Sequence, residues 1–316
     1  MLRIFFFVVL LTFVIPSAVN FCFAFELNKT KIHNKKIINN KIKNLEVNKK
    51  NNTKIEINQL EDYLKLVVAE EMPAYFEIEA LKAQAVASRS YAVKNYNGKD
   101  LKELYQAYSD IEKLKEKWNN DFDKYYKKIC FAVDSTKGQI IKYNNDVALA
   151  VFHSTSAGVT QNSEDVWKNE LPYLKSVDSY DDINALNFVS YKTFKISDIC
   201  QKINKKFETD INKNNFENNF KVSIKSNSGY IKKLKICEKD ISAMEFRMLL
   251  DLRSTNFEFY LDKDNSQITF KTKGYGHGVG MSQYGAHYMA KKGFNYVDIL
   301  KHYYSGVHIE KMDIKK

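Results

Sequence analysis

The chain has 316 residues, 44% of them hydrophobic and 28% charged, a composition that excludes a disordered chain and gives length for roughly two domains or lobes. Lys and Arg number 49 against 38 Asp and Glu, a formal net charge of +11, which raises nucleic acid or a membrane as a partner. The distribution removes most of the nucleic-acid case: Arg3 alone is charged in 1–25, nine Lys and three Glu fill 26–57, and only +4 remains over 58–316.

In chain order, residues 4–25 run 22 positions without a charge, and about 20 such residues cross a bilayer as a helix. A cleaved signal peptide needs small residues at its cleavage site, and Phe23-Ala24-Phe25 is poor in that role. Residues 1–25 therefore read as an uncleaved single-pass N-terminal anchor rather than a signal peptide. Arg3 precedes the span and six Lys lie in 29–43, so the positive-inside rule alone puts that flank in the cytoplasm. The function implied below needs the opposite orientation. Residues 26–57, rich in Asn and Lys without an apolar period, read as a solvated spacer. Cys22 falls in the span, and Cys130, Cys200 and Cys237 allow at most one internal disulfide and form no C-x-x-C pair.

A helix is expected over 61–72, with Leu64, Val67 and Val68 on one side and Pro73 ending it. A second, over 77–94, turns Ile78, Leu81, Ala85, Ser88 and Ala92 inward. Lys82 and Arg89, seven apart, share another face, and Gln84, Ser88 and Tyr91 line a third. A polar helical region follows at 110–128. Strands at 138–143 and 147–153 flank an Asn144-Asn145-Asp146 turn. Residues 196–275 mix strands with a helix near 242–250, and the glycine-rich 274–285 leads into a helix near 281–291. No repeat is present. The expected class is α+β, mixed helices and antiparallel strands in two lobes flanking a cleft, behind one transmembrane helix, with a catalytic domain over 58–310.

Three segments carry polar chemistry. Glu70 and Glu71 are adjacent on a helix and point about 100° apart, so they are not a facing pair, but one of them can enter a cleft at the helix end. His153-Ser154-Thr155-Ser156 leaves an apolar strand; alternation puts His153 with Thr155 and Ser154 with Ser156. A serine nucleophile there lacks G-x-S-x-G, and the hydroxyl-rich run suits a polyhydroxylated ligand. A metal at His153 lacks neighbouring ligands, since Cys130 and Cys200 are each more than 20 residues away. Gly274–Gly285 satisfies neither G-x-G-x-x-G nor a following G-K-[ST], so nucleotide binding fails on spacing. Its alternating glycines instead permit tight turns that present His277, Gln283 and Tyr284.

Taken together, the motifs resemble the family of stage II sporulation protein D and the amidase enhancers. The likeness is carried by Val67-Val-Ala-Glu-Glu-Met-Pro73, Glu79-Ala-Leu-Lys-Ala-Gln-Ala-Val-Ala-Ser-Arg-Ser-Tyr91 and Phe152-His-Ser-Thr-Ser-Ala-Gly158. It continues through Glu164-Asp-Val-Trp167, Pro172-Tyr-Leu-Lys-Ser-Val177, Leu252-Arg-Ser-Thr255, Gly276-His-Gly-Val-Gly-Met-Ser-Gln-Tyr-Gly285 and His302-Tyr-Tyr304. The resemblance implies a membrane-anchored lytic transglycosylase, a glycan lyase that acts on peptidoglycan strands stripped of stem peptides and leaves 1,6-anhydro-muramic acid ends during engulfment. It implies Glu71 as the catalytic acid and base, an extracytoplasmic location on the septal or engulfing membrane of the mother cell, and the sporulation amidase, stage II sporulation protein P, and other engulfment membrane proteins as partners. No cofactor, metal or nucleic acid enters this reading. Lys82 or Arg89 is expected to hold the muramic lactyl carboxylate, with Gln84, His153, Ser154, Ser156, His277, Gln283 and Tyr284 as further substrate contacts. The rival from another class is a non-catalytic wall-binding module that enhances an amidase. Segments 110–128 and 201–221 lie outside the motifs and have no role in either reading.

Overall fold

A computed structural model describes residues 56–312 apart from 97, 99, 105, 168 and 265. The expected anchor at 1–25 and all but the last residues of the spacer at 26–57 lie outside the described residues. Among the described residues no helix is long and apolar enough to cross a membrane.

The chain opens with α1 (Ile57–Glu71) and α2 (Ile78–Asn95). Pro73 ends α1 as expected, because the residue before a proline avoids the helical region: Met72 is extended at φ −126° and ψ 135°. Helix α2 is buried on nearly every side rather than along one stripe, with Leu81, Ala85, Val86, Ser88, Arg89 and Ala92 all withdrawn from water. Its small residues allow this, since alanines let α1, α4, β1 and α9 approach closely on different faces.

The polar region at 110–128 forms α3 (Ile111–Trp118) and the start of α4 (Phe122–Ser135). Strand β1 (Gln139–Tyr143) pairs antiparallel with β2 (Asp146–Val147) and with β11 (His308–Lys311). Asn144 takes a left-handed φ of 48° in the turn between β1 and β2. The expected strand at 147–153 is broken. Only β2 and β3 (Phe152–His153) are extended ladders, and β3 pairs with β10 (Met281–Ser282) in the one parallel ladder among the described strands.

Helix α5 (Ser163–Val166) precedes β4 (Val189–Lys195) and α6 (Ile196–Phe207), a helix the sequence reading missed. Then come α7 (Phe216–Asn219), β5 (Phe220–Lys225), β6 (Ile231–Ile236), β7 (Lys239–Ser242), α8 (Ala243–Leu250), β8 (Phe257–Asp262) and β9 (Gln267–Lys273). They form two antiparallel sheets, β4-β9-β8 and β5-β6-β7, around a core rich in Phe220, Phe246, Phe257 and Phe270. Segment 201–221 thus supplies the second half of α6, all of α7 and the first two residues of β5. The larger core joins α1, α2, α4, β1 and β10 to the last helices, α9 (Gln283–Lys291) and α10 (Tyr296–Tyr303). The class is α+β.

The loop from Gly274 to Gly280 leaves β9 and is fastened along 151–161. Thr155 and Tyr275 exchange backbone hydrogen bonds at 3.0 and 2.7 Å, Gln161 N donates to Gly278 O at 2.7 Å, and Met281 N donates to Val151 O at 3.2 Å. Two segments more than 100 residues apart in sequence are thereby held side by side.

Candidate active site

Glu71 is the last residue of α1, so its carboxylate projects where the helix stops and Pro73 turns the chain away. It opens into a cleft of about 750 Å³. Glu70 and Glu71 flank the helix end there, with Tyr75, Trp118, Tyr125, Tyr275 and Tyr284 as aromatic walls and His153, Ser154 and Gln283 among the polar lining. Most of this lining is carried by the larger core, and the second core reaches the rim through Arg253 and Tyr275.

The Glu71 carboxylate is half-buried. Burial pushes its pKa up, a hydrogen bond from Ala107 N (2.9 Å to Oε1) pulls it down, the neighbouring Glu70 charge pushes up, and the Gln283 side chain pulls down; the net direction is upward. A helix C-terminus carries negative partial charge, which acts in the same upward sense. Glu70 lies in a different setting: Ser109 Oγ donates to it at 2.8 Å and Lys117 Nζ lies 3.0 Å away. The two adjacent carboxylates are thus distinct, one ion-paired and one held in a partly desolvated wall. Segment 101–128 has a place here, because Ala107, Ser109, Lys117 and Trp118 build that wall.

Gln283 connects Glu71 to the interior. Its Nε2 donates to Gln84 Oε1 at 3.3 Å, and Gln84 Nε2 donates to Ser88 Oγ at 3.0 Å. Gln84 is fully buried, so it supports Gln283 from behind and does not touch a ligand in the cleft. Tyr284 lines the cleft with its ring 4.9 Å from Phe76, edge to face. Burial and a hydrogen bond with Tyr75 push its hydroxyl up to about 12.

His153 and Ser154 line the cleft, and His277 stands behind them, its ring 5.6 Å from His153 and 5.2 Å from Trp167. His153 Nδ1 is 3.1 Å from the Val279 carbonyl, which makes it the protonated nitrogen and leaves Nε2 a buried acceptor with no partner. His277 Nδ1 accepts from Val279 N at 3.1 Å. Burial lowers His153 to about 3 and His277 to about 4, so both rings are neutral at pH 7. Ser156 is structural: fully buried, it donates its backbone N–H to Asp182 Oδ2 at 2.7 Å and accepts from Gly158 N at 3.1 Å.

Both cations expected to hold a carboxylate are elsewhere. Lys82 pairs with Glu79 at 2.7 Å and lies 5.9 Å from the Tyr296 ring centre, outside the cleft lining. Arg89 is fully buried and pairs with Glu61 at 2.6 Å. A helix face shared on paper did not reveal that α2 is wrapped on all sides. The structure instead adds Arg253, Tyr75, Trp118 and Tyr275 to the cleft. Arg253 stands in the quoted Leu252-Arg-Ser-Thr255 motif, the signal from which it was legible. Among the described residues no cluster of His, Cys, Asp and Glu has the arrangement of a metal site.

Residues 48–143 match the family model described as Stage II sporulation protein, and residues 112–280 match a domain of unknown function (DUF8618). The chain is 37% identical over 273 residues to the stage II sporulation protein D of Bacillus amyloliquefaciens, covering 83% of this chain and 77% of that protein. Identity to the same protein of Bacillus subtilis (strain 168) is 38% with the same coverage. Similarity extends to the Bacillus subtilis (strain 168) amidase enhancer, at 30% over 291 residues, with 77% of this chain but 39% of that protein covered.

Proposed function

The chain belongs to the stage II sporulation protein D family, and we propose that it is a membrane-anchored lytic transglycosylase that cleaves peptidoglycan strands stripped of their stem peptides during engulfment. The observation that carries the reading is the setting of Glu71: one carboxylate with a raised pKa at the wall of an aromatic cleft, beside a second carboxylate committed to Lys117.

Hydrolysis of a glycoside ordinarily takes two carboxyl groups across the scissile bond. An intramolecular route takes one. Protonated Glu71 donates to the departing glycosidic oxygen. The resulting carboxylate then takes the proton from the muramic acid's own 6-hydroxyl as that oxygen attacks the anomeric carbon. The C1–O bond to the leaving sugar breaks, a C1–O6 bond forms, the proton ends on the leaving sugar, and no water is consumed. Holding nucleophile and electrophile in one ring supplies much of the rate. The raised pKa supports a carboxyl that arrives protonated. Gln283 and the Ala107 N–H orient it, and the Tyr275 and Tyr284 rings offer apolar faces for sugar rings.

In this reading the N-terminal segment anchors the enzyme outside the cytoplasm, at the septal or engulfing membrane. The domain over 58–310 acts on strands first denuded by an amidase, stage II sporulation protein P, alongside other engulfment membrane proteins. The relative named amidase enhancer makes the non-catalytic reading the one to test against. Mass spectrometry of products from denuded strands separates them. Anhydro-ended fragments from the wild type, lost in Glu71→Gln, are expected. Reducing ends, or fragments that persist in Glu71→Gln, sink the mechanism.

A further inference from the structure

The substrate of the proposed reaction carries a free carboxylate, and both cations expected to meet it are turned elsewhere. Lys82 is paired with Glu79, and Arg89 is sealed inside with Glu61. Two other cations line the cleft. Lys117 is compensated by Glu70 at 3.0 Å. Arg253 has no carboxylate partner among the described residues.

Its setting is fixed in two ways. Its carbonyl accepts from Gly276 N at 2.9 Å, tying the Leu252–Thr255 turn to the glycine-rich loop. Its guanidinium lies over the Tyr275 ring, 4.4 Å from the centre. A cation–π contact engages the face of the guanidinium and makes no use of its N–H donors, which lie in its plane. Nε is buried and has no hydrogen-bond partner. An uncompensated, partly desolvated cation is costly, and an entering anion offsets that cost. A guanidinium edge matches the two oxygens of a carboxylate. The same charge bears on the Tyr284 hydroxyl, and Arg253, Tyr284 and Glu71 line one cleft.

We propose that Arg253, stacked on Tyr275, is the carboxylate receptor of the cleft, pairing with the lactyl carboxylate of muramic acid. This rests on the glycan-cleaving reading and deepens it. When a stem peptide is attached, that carboxyl is an amide, carries no charge and continues into a peptide. Preference for stripped strands then follows from one ion pair.

The test compares two probes: denuded glycan oligosaccharides with free lactyl carboxylates, and the same oligosaccharides converted to lactyl methylamides. Binding is measured by calorimetry on the full chain carrying Glu71→Gln, so turnover does not interfere. The free acid is expected to bind on the order of tenfold or more tightly than the amide. Adding Arg253→Gln should abolish that ratio by weakening the acid alone, and Arg253→Lys should restore part of it. A ratio that survives Arg253→Gln, equal weakening of both probes, or no binding of either probe overturns the proposal. The two ideas fail separately. If the otherwise wild-type chain makes anhydro ends but Arg253→Gln keeps the acid preference, the receptor is wrong and the reaction stands. If the preference depends on Arg253 but no strand is cleaved, the receptor stands and the reaction is wrong.

Discussion

Arg89 clasps Glu61: Nε and Nη2 donate to the two carboxylate oxygens at 2.9 and 2.6 Å, with both side chains out of water. The remaining donors go to backbone carbonyls, Nη1 to Gln139 O at 3.1 Å and Nη2 also to Val133 O at 3.3 Å, and Gly138 N donates to Glu61 Oε1 at 3.0 Å. One ion pair thus joins α1, α2, the end of α4 and the start of β1. Arg89→Gln or Glu61→Gln strands a buried charge and is expected to cost about 3–5 kcal/mol in urea denaturation. The pair Glu61→Leu with Arg89→Met should recover much of that loss. Substrate KM in the surviving folded fraction should not change; a rise in KM without loss of stability would return Arg89 to a binding role.

Cleavage should show an alkaline limb set by Glu71. Its carboxyl titrates above the usual carboxylate range, and in the proposed reaction the protonated form is the working acid. Activity is therefore expected below the folded pKa and is lost as pH rises through it. The Glu70 charge pushes Glu71 upward, and Lys117 compensates Glu70. Lys117→Ala should move the limb to higher pH and Glu70→Gln to lower pH. The two shifts should be opposite in sign, as the removal of a compensating cation and of a neighbouring anion requires. A pH–rate profile that leaves the limb in place in both variants would separate it from Glu71.

How much of this was legible in the sequence depended on the range of the forces involved. Helices α1, α2, α8 and α9 could be read because proline, glycine and apolar spacing act locally. The strand expected at 147–153 failed because its apolar run is buried by several elements and needs no ladder beyond β2 and β3. Glu71 was legible from its own motif. Arg89 was misplaced because a helix face says nothing about what packs against it, and α2 turns out to be packed nearly all round. The wall from Ala107 to Trp118 was illegible for the opposite reason. A backbone N–H carries no sequence signature, and Lys117 is one of many lysines.

Asp182 gives a second pH dependence, this time of stability. The residue is buried and receives hydrogen bonds from Ser156 N (2.7 Å), Ser179 Oγ (3.1 Å) and Ser282 Oγ (2.9 Å), joining both sides of the loop pair behind the cleft. Burial nevertheless raises it to about 6 from an ordinary 3.8. The folded state then binds a proton that the unfolded chain has already released. Its contribution is fully present below about pH 4 and is lost as pH rises through about 6, up to about 3 kcal/mol. Asp182→Asn should remove this dependence, so the variant should gain on the wild type between pH 4 and 7 in urea midpoints. A constant difference across that range would show that the hydrogen bonds, not burial, dominate the site.

Gly276 tests whether the glycine-rich loop is shaped for the cleft or merely tolerated there. Its φ is +118°, a conformation L-residues rarely take, and a methyl group added to it would lie 2.7 Å from His153 Cβ. Gly276→Ala therefore faces two penalties: backbone strain of about 1–3 kcal/mol, and a displacement of His153 or of Tyr275 and Arg253, which the same loop holds. Gly293 has a comparable φ of +92° but nothing within 4 Å of its added methyl, and it is not part of the cleft lining. Gly293→Ala should thus suffer backbone strain alone. Both variants should lose stability in thermal melts, by similar amounts if strain dominates. Only Gly276→Ala should lose cleavage of denuded strands beyond what its folded fraction accounts for, because only there does the side chain collide with a cleft residue. Equal specific activity per folded molecule in the two variants would show that His153 can give way, and that the loop does not set the cleft's geometry.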